Sequence, residues 1–221
     1  NFIIRNAKGG FDEPLVNAVI FRQNTEGLYG GVEWTNPPKQ VRDALETHPK
    51  MKFFKDVPSE DMAISTRIVT RNASRRIIRA GFEYAKKYGY TNLTLCEKPN
   101  VLRETSGMMF KEAKEIAKEY PGIALWDTNI DAQMMWLTKN PETYGVIVAE
   151  NMFGDILTDQ ASVLAGSLGM LPSASLNESS YGLYEPIHGS APDIAGKGIA
   201  NPTGTIMSAA LLLRYSLRLE N

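Results

Sequence analysis

From residue 92 to residue 168 the chain alternates short apolar runs with amphipathic stretches, and no other feature restricts its fold as much. NLTLC reads as a buried strand and EKPNVLRETSG as a loop. A Lys/Glu-rich helix follows through Glu119, ended by Pro121 and Gly122. The unit then repeats, with IALWDTNI as a strand, 131–137 as a short helix, 144–149 as an apolar strand and 155–168 as a helix. Strand and helix in alternation over this length predict an α/β fold, a sheet with helices on both faces.

Upstream, 15–21 (LVNAVIF), 27–34 (GLYGGVEW) and 63–70 (AISTRIVT) have the apolar, β-branched and aromatic content of strands. Residues 73–88 place Ile77, Ile78, Ala80, Gly81, Tyr84 and Ala85 on one helical face, and Gly89 stops that helix. Between 35 and 61 the chain turns to Pro, Lys and Glu with little periodicity, an irregular, clasp-like arm. Residues 171–205 are dense in Pro, Gly, Ser and Asn and read as mostly loop, and 205–219 as an apolar helix carrying Arg214 and Arg218.

Composition excludes several classes of partner. The 24 basic residues nearly cancel the 25 acidic ones without forming a basic tract, so neither nucleic acid nor an anionic membrane is expected. No run approaches the roughly 18 apolar residues that span a bilayer, and the expected location is the cytoplasm, or the mitochondrial matrix in a eukaryote. Cys96 stands alone among 221 residues, which rules out an intrachain disulfide and a CxxC metal site and leaves a small core residue. The opening NFIIRNAKGG lacks an initiator Met and reads as an interior segment, so a longer parent chain is expected.

Several stretches could carry chemistry. In VIVAENMFGDILTDQASVLAGSLG, Asp155 and Asp159 stand at i and i+4 on one helical face, and no Lys or Arg lies between Lys139 and Lys197 to offset them locally. Hard carboxylate oxygens at the carboxyl end of a parallel strand suit Mg²⁺ or Mn²⁺. Taken alone, Asp155 could equally be a charge set against the helix macrodipole and Asp159 a solvated side chain. Asp131 opens a helix and by itself is an ordinary cap, while Lys98 follows a strand where a lysine can reach a site or simply be solvated. Arg22 could bind a substrate carboxylate and Tyr29 donate a proton, though the tyrosine also fits a core or interface. The stretch EPIHGSAPDIAGKGIANPTG, with His188, is small-residue backbone suited to lying against a flat ligand. The chain has no GxGxxG, no GxxxxGK[ST], no GxSxG and no HExxH.

Together VIFRQNTEGLYGGVEW, EKPNVLRETSG, ENMFGDILTDQASVLAGSLGMLPSASL and EPIHGSAPDIAGKGIANP resemble the β-decarboxylating dehydrogenases, in the order that family shows. The resemblance implies an isopropylmalate-dehydrogenase-like sheet with helices on both faces. Residues 1–26 would be the first part of a small domain, 27–71 the clasp-like arm and 72–166 the small α/β domain with the metal and dimer residues. Residues 167–221 would be part of a larger dinucleotide-binding domain. It implies Arg22 as a ligand of substrate carboxylates, Tyr29 and Lys98 as the acid/base pair that also touches substrate, and Asp131, Asp155 and Asp159 as metal carboxylates. It further implies a homodimer whose sites are shared, with Lys98 and Asp131 serving the other subunit. His188, Gly189, Ser190, Ala191, Asp193, Ile194 and Asn201 would line the cofactor, and a carboxylate at Asp193 suits the free ribose 2′-OH of NAD rather than a 2′-phosphate.

The expected partner is a small 2-hydroxy tricarboxylic acid, oxidised and decarboxylated with NAD and a divalent cation. Isocitrate going to 2-oxoglutarate is expected first, with homoisocitrate and 3-isopropylmalate as alternatives. A non-catalytic regulatory subunit of the same fold is disfavoured because Tyr29, Lys98, Asp131, Asp155 and Asp159 are all present.

Overall fold

The computed structural model describes residues 16–179 and 181–219. Four strands, β1 (Val19–Arg22), β4 (Asn92–Glu97), β5 (Ala124–Asn129) and β6 (Val146–Ala149), form one sheet in the order β1-β6-β4-β5. Every pairing in it is parallel. Helices α2 (Arg71–Tyr88) and α3 (Thr105–Ala117) cover one face, and α4 (Ile130–Lys139) and α5 (Asn151–Ala165) the other. The α/β sheet read from the alternation is the fold observed.

The side chains explain the layering. Strands buried on both sides read as continuous apolar runs, and Val146, Ile147, Val148 and Ala149 are all buried. Val146 and Val148 face the layer made by Ile78, Phe82, Met109 and Ile116. Ile147 and Ala149 face Leu137, Phe153 and Leu157 on the opposite side, as the two-residue period of a strand requires. Phe82 is fully buried and its ring lies 4.9 Å from that of Tyr120. Gly89 ends α2 in the left-handed conformation, φ 75°, returning its N–H to the Ala85 carbonyl.

Elsewhere the expectations need correction. The first predicted strand begins at Leu15, outside the described residues, and its described part forms β1 only from Val19. Residues 27–34 are not one strand: Leu28–Gly30 make a 3-10 turn between two glycines of positive φ, and β2 is only Glu33–Thr35. It pairs antiparallel with β3 (Ala63–Ser65), so 63–70 is likewise strand only at its start. The segment 35–61 carries helix α1 (Lys39–Glu46), where Arg42 is buried and donates to the Val57 carbonyl at 2.7 Å. Its chemistry escapes a search for apolar periodicity because the residue that packs inward is an arginine. Within 171–205, β7 (Pro172–Leu176) and β8 (Gly182–Pro186) form an antiparallel hairpin against α6 (Thr203–Tyr215).

Candidate active site

The parallel register brings four strand ends to one edge. Arg22 closes β1, Ala149 closes β6 just before α5, Glu97 closes β4 just before Lys98, and Asn129 closes β5 just before α4 and Asp131. The carboxyl edge of a parallel sheet is where open α/β folds hold ligands.

At one end of this edge Arg22 donates through Nε to Asn151 Oδ1 at 2.9 Å and through Nη1 to Asp155 Oδ1. Tyr29 donates its hydroxyl to the second Asp155 oxygen at 2.6 Å, and the Arg22 guanidinium lies 5.0 Å from the centre of its ring. The bond to Asp155, then burial, hold the Tyr29 phenol above its usual range, because the phenolate would face a carboxylate. Asp155 therefore has a counter-charge after all, supplied from β1, 133 positions away. Gly154 makes this approach possible: a Cβ there would sit 2.7 Å from Arg22 Cγ.

Helix α5 starts four residues earlier than its carboxylates suggest. Glu150 accepts the Phe153 N–H at 3.0 Å and caps it, a task usually given to Ser, Thr, Asp or Asn, so the sequence conceals the start. Asp155 is thus not a first-turn charge, which removes the macrodipole reading. Asn151 is a site residue that motif reasoning passes over, although its spacing of four from Asp155 puts it on the same helical face. Asp159 lies one turn beyond Asp155 and is exposed.

At the other end Lys98 donates to Asp131 and lowers the pKa of that carboxyl. Among the described residues no hydrogen bond or ion pair joins this couple to Arg22, Tyr29 or Asp155. Asp131 follows β5 and Asp155 follows β6, two inter-strand spacings apart, roughly 10 Å. Among the described residues no three acidic, histidine or cysteine side chains gather as a cation site needs. Asp155 and Asp159 fit a hard divalent cation as two donors, and Asp131 of the same chain does not complete them.

The stretch EPIHGSAPDIAGKGIANPTG runs from the end of β8 to the start of α6. His188, Gly189, Ser190, Ala191, Asp193 and Asn201 are exposed and Ile194 half-buried. His188 Nδ1 meets the Gly189 carbonyl at 2.7 Å, and Ala191 adopts a positive φ of 44° to start the turn Pro192–Ile194. Asn201 accepts the Thr203 N–H at 3.0 Å, at the start of α6. The Asp193 carboxylate has no partner among the described residues, so a ribose hydroxyl could take it. The loop is thus exposed small-residue backbone with one carboxylate left free among the described residues to accept hydrogen bonds.

Residues 7–221 match the family described as isocitrate/isopropylmalate dehydrogenase. The chain belongs to that family. It is 47% identical over 205 residues to a 3-isopropylmalate dehydrogenase of Heyndrickxia coagulans, covering 93% of this chain and 50% of that protein. It is 45% identical over 200 residues to the homoisocitrate dehydrogenase of Methanocaldococcus jannaschii, covering 90% and 50%. The crystal structure of isocitrate dehydrogenase from Methylococcus capsulatus superposes with a TM-score of 0.78 at 41% identity, over 91% of this chain and 54% of that one. The chain thus spans about half the length of the relatives it matches. Among the described residues no helix is long and apolar enough to cross a membrane.

Proposed function

We propose that this chain carries catalytic residues of a cytoplasmic, NAD-using, metal-requiring dehydrogenase that oxidises a small 2-hydroxy acid and removes its β-carboxylate, with 3-isopropylmalate as the substrate. The observation that carries the reading is the Arg22, Asp155 and Tyr29 constellation at the carboxyl edge of the sheet, a cation, an anion and a proton donor in mutual contact. The names of the relatives move the substrate from isocitrate, expected first, to the alternatives. In this reading the substrate is a dicarboxylic acid with a branched apolar arm rather than the tricarboxylic acid expected first. Homoisocitrate is the second reading, supported by the methanogen relative.

In this reading Arg22 binds a substrate carboxylate, which replaces Asp155 as its counter-charge. Asp155 and Asp159, with Asp131 of the partner subunit, would hold Mg²⁺ or Mn²⁺. The loop from His188 to Asn201 would hold NAD, and Asp193 would take the ribose 2′-OH. The chemistry supplied on binding is polarisation of the substrate hydroxyl by the cation and acceptance of hydride by NAD. Tyr29 keeps its proton at neutral pH and delivers it to the carbon that CO₂ has left, and Lys98 serves the corresponding proton relay in the other subunit. Met135 and Trp136 on α4, and Ile156 and Val163 on α5, are exposed apolar side chains on the helices that bear Asp131 and Asp155, a surface suited to a second copy.

The intact protein should reduce NAD in preference to NADP with 3-isopropylmalate and Mg²⁺. Faster turnover of homoisocitrate or isocitrate would replace the substrate, and no turnover of any of the three would refute the reading.

A further inference from the structure

Three limbs of the site run back to one buried cluster that the reaction itself does not use. Arg67, whose side chain is 9% exposed, reaches Glu97 at 3.2 Å and Glu150 at 3.4 Å, and these carboxylates are 0% and 3% exposed. It also donates to Thr105 Oγ1 at 2.9 Å and lies 5.0 Å from the Phe153 ring centre. Glu97 accepts the Ser106 hydroxyl at 2.6 Å and the backbone N–H of Glu150 at 3.0 Å. Glu150 in turn begins α5 through the Phe153 N–H. Two carboxylates and one guanidinium leave an excess negative charge in the core, and burial pushes the Glu97 carboxyl up.

Such a cluster is a poor stabiliser, because desolvating three charges offsets much of their attraction. Its connections are more telling. Lys98 follows Glu97 directly, and its backbone N–H points to the Ser106 hydroxyl at 3.4 Å. Asn151, which holds Arg22, follows Glu150 directly. Gly27 passes so close to the cluster that a Cβ there would sit 2.6 Å from Glu150 Oε2, and its N–H bonds the Ile68 carbonyl, next to Arg67, at 2.8 Å. Tyr29 lies two residues beyond Gly27.

We propose that Arg67, Glu97 and Glu150 are positioning residues, a buried hub that fixes Lys98, the start of α5 and the Tyr29 turn relative to one another. The roles of those limbs rest on the function proposed above, but the mechanical claim does not. Trace labelling of lysine amines, read by mass spectrometry, tests it without any turnover. In Arg67→Met and in Ser106→Ala, Lys98 should label about threefold faster or more than in the unsubstituted protein, while Lys86 and Lys114 on the outer helices keep their rates. Arg67→Lys should fall between, since an ammonium can pair with either carboxylate but lacks the fork that reaches both.

If Arg67→Met melts cooperatively and Lys98 labels at its original rate, the hub is refuted. If that variant fails to fold, Ser106→Ala decides in the same terms. With turnover established, Arg67→Met should lower kcat by about tenfold with little change in KM. A protein inactive on all three substrates would overturn the proposed function, whereas the lysine labelling rates would still decide for or against the hub.

Discussion

Tyr29 is more than half exposed, so its value lies in its hydroxyl bond to Asp155 rather than in packing. Tyr29→Phe keeps the ring and removes the donor. Formation of the decarboxylated product should drop by about 10² to 10⁴, more than reduction of NAD; a loss below about tenfold would make Tyr29 a surface aromatic. Asp131 gives a pH prediction. Its carboxyl is held below the usual range by the Lys98 ammonium, so what the pair contributes is present above about pH 3.8 and lost as pH falls through the lower folded value. In carboxyl-detected NMR, Lys98→Met should move the Asp131 titration upward. Cys96 is buried and burial pushes its thiol up to about 12, so a thiol reagent should leave it unmodified at pH 8 until the chain is unfolded.

Between elements, the tightest requirement is the seating of α5 against β1. Gly154→Ala places a methyl group into Arg22, and because the neighbour is an arginine stem with its own backbone behind it, the stem can yield only partly. A cost of about 1 to 3 kcal/mol is expected in urea unfolding, with Arg22 displaced from Asp155. The same elements mark how far the chain can be read without its structure. β4, β6, α2 and α3 are legible because burial on a sheet face leaves continuous or 3.6-period apolar patterns in the chain. The β7 and β8 hairpin is not, since SASL and GLYEP pack one half-exposed face and their small residues look like loop. Arg22, Tyr29, Lys98 and the three aspartates stand out by residue type and motif. Asn151, Arg67, Glu97 and Glu150 do not, because a buried amide or charge announces itself mainly through partners distant in the chain.

For the molecule as a whole, the separation of Lys98 and Asp131 from the Arg22, Tyr29 and Asp155 group predicts function in trans. Tyr29→Phe and Lys98→Met should each form little decarboxylated product, yet subunit exchange between them should restore its formation in mixed dimers that retain one intact site. No recovery, with exchange confirmed by mass, would place both residues in one subunit's site. The position of β1 has a further consequence, for the order of assembly. Among the described residues it is an edge strand that pairs only with β6, more than half the chain away, so closing that contact is entropically the most demanding step of building the described sheet. Amides of β4 and β6 should therefore gain protection from hydrogen exchange before those of β1. Until β1 docks, Asp155 has no arginine, and the maturing chain holds an incomplete anion site that closes only with its final strand.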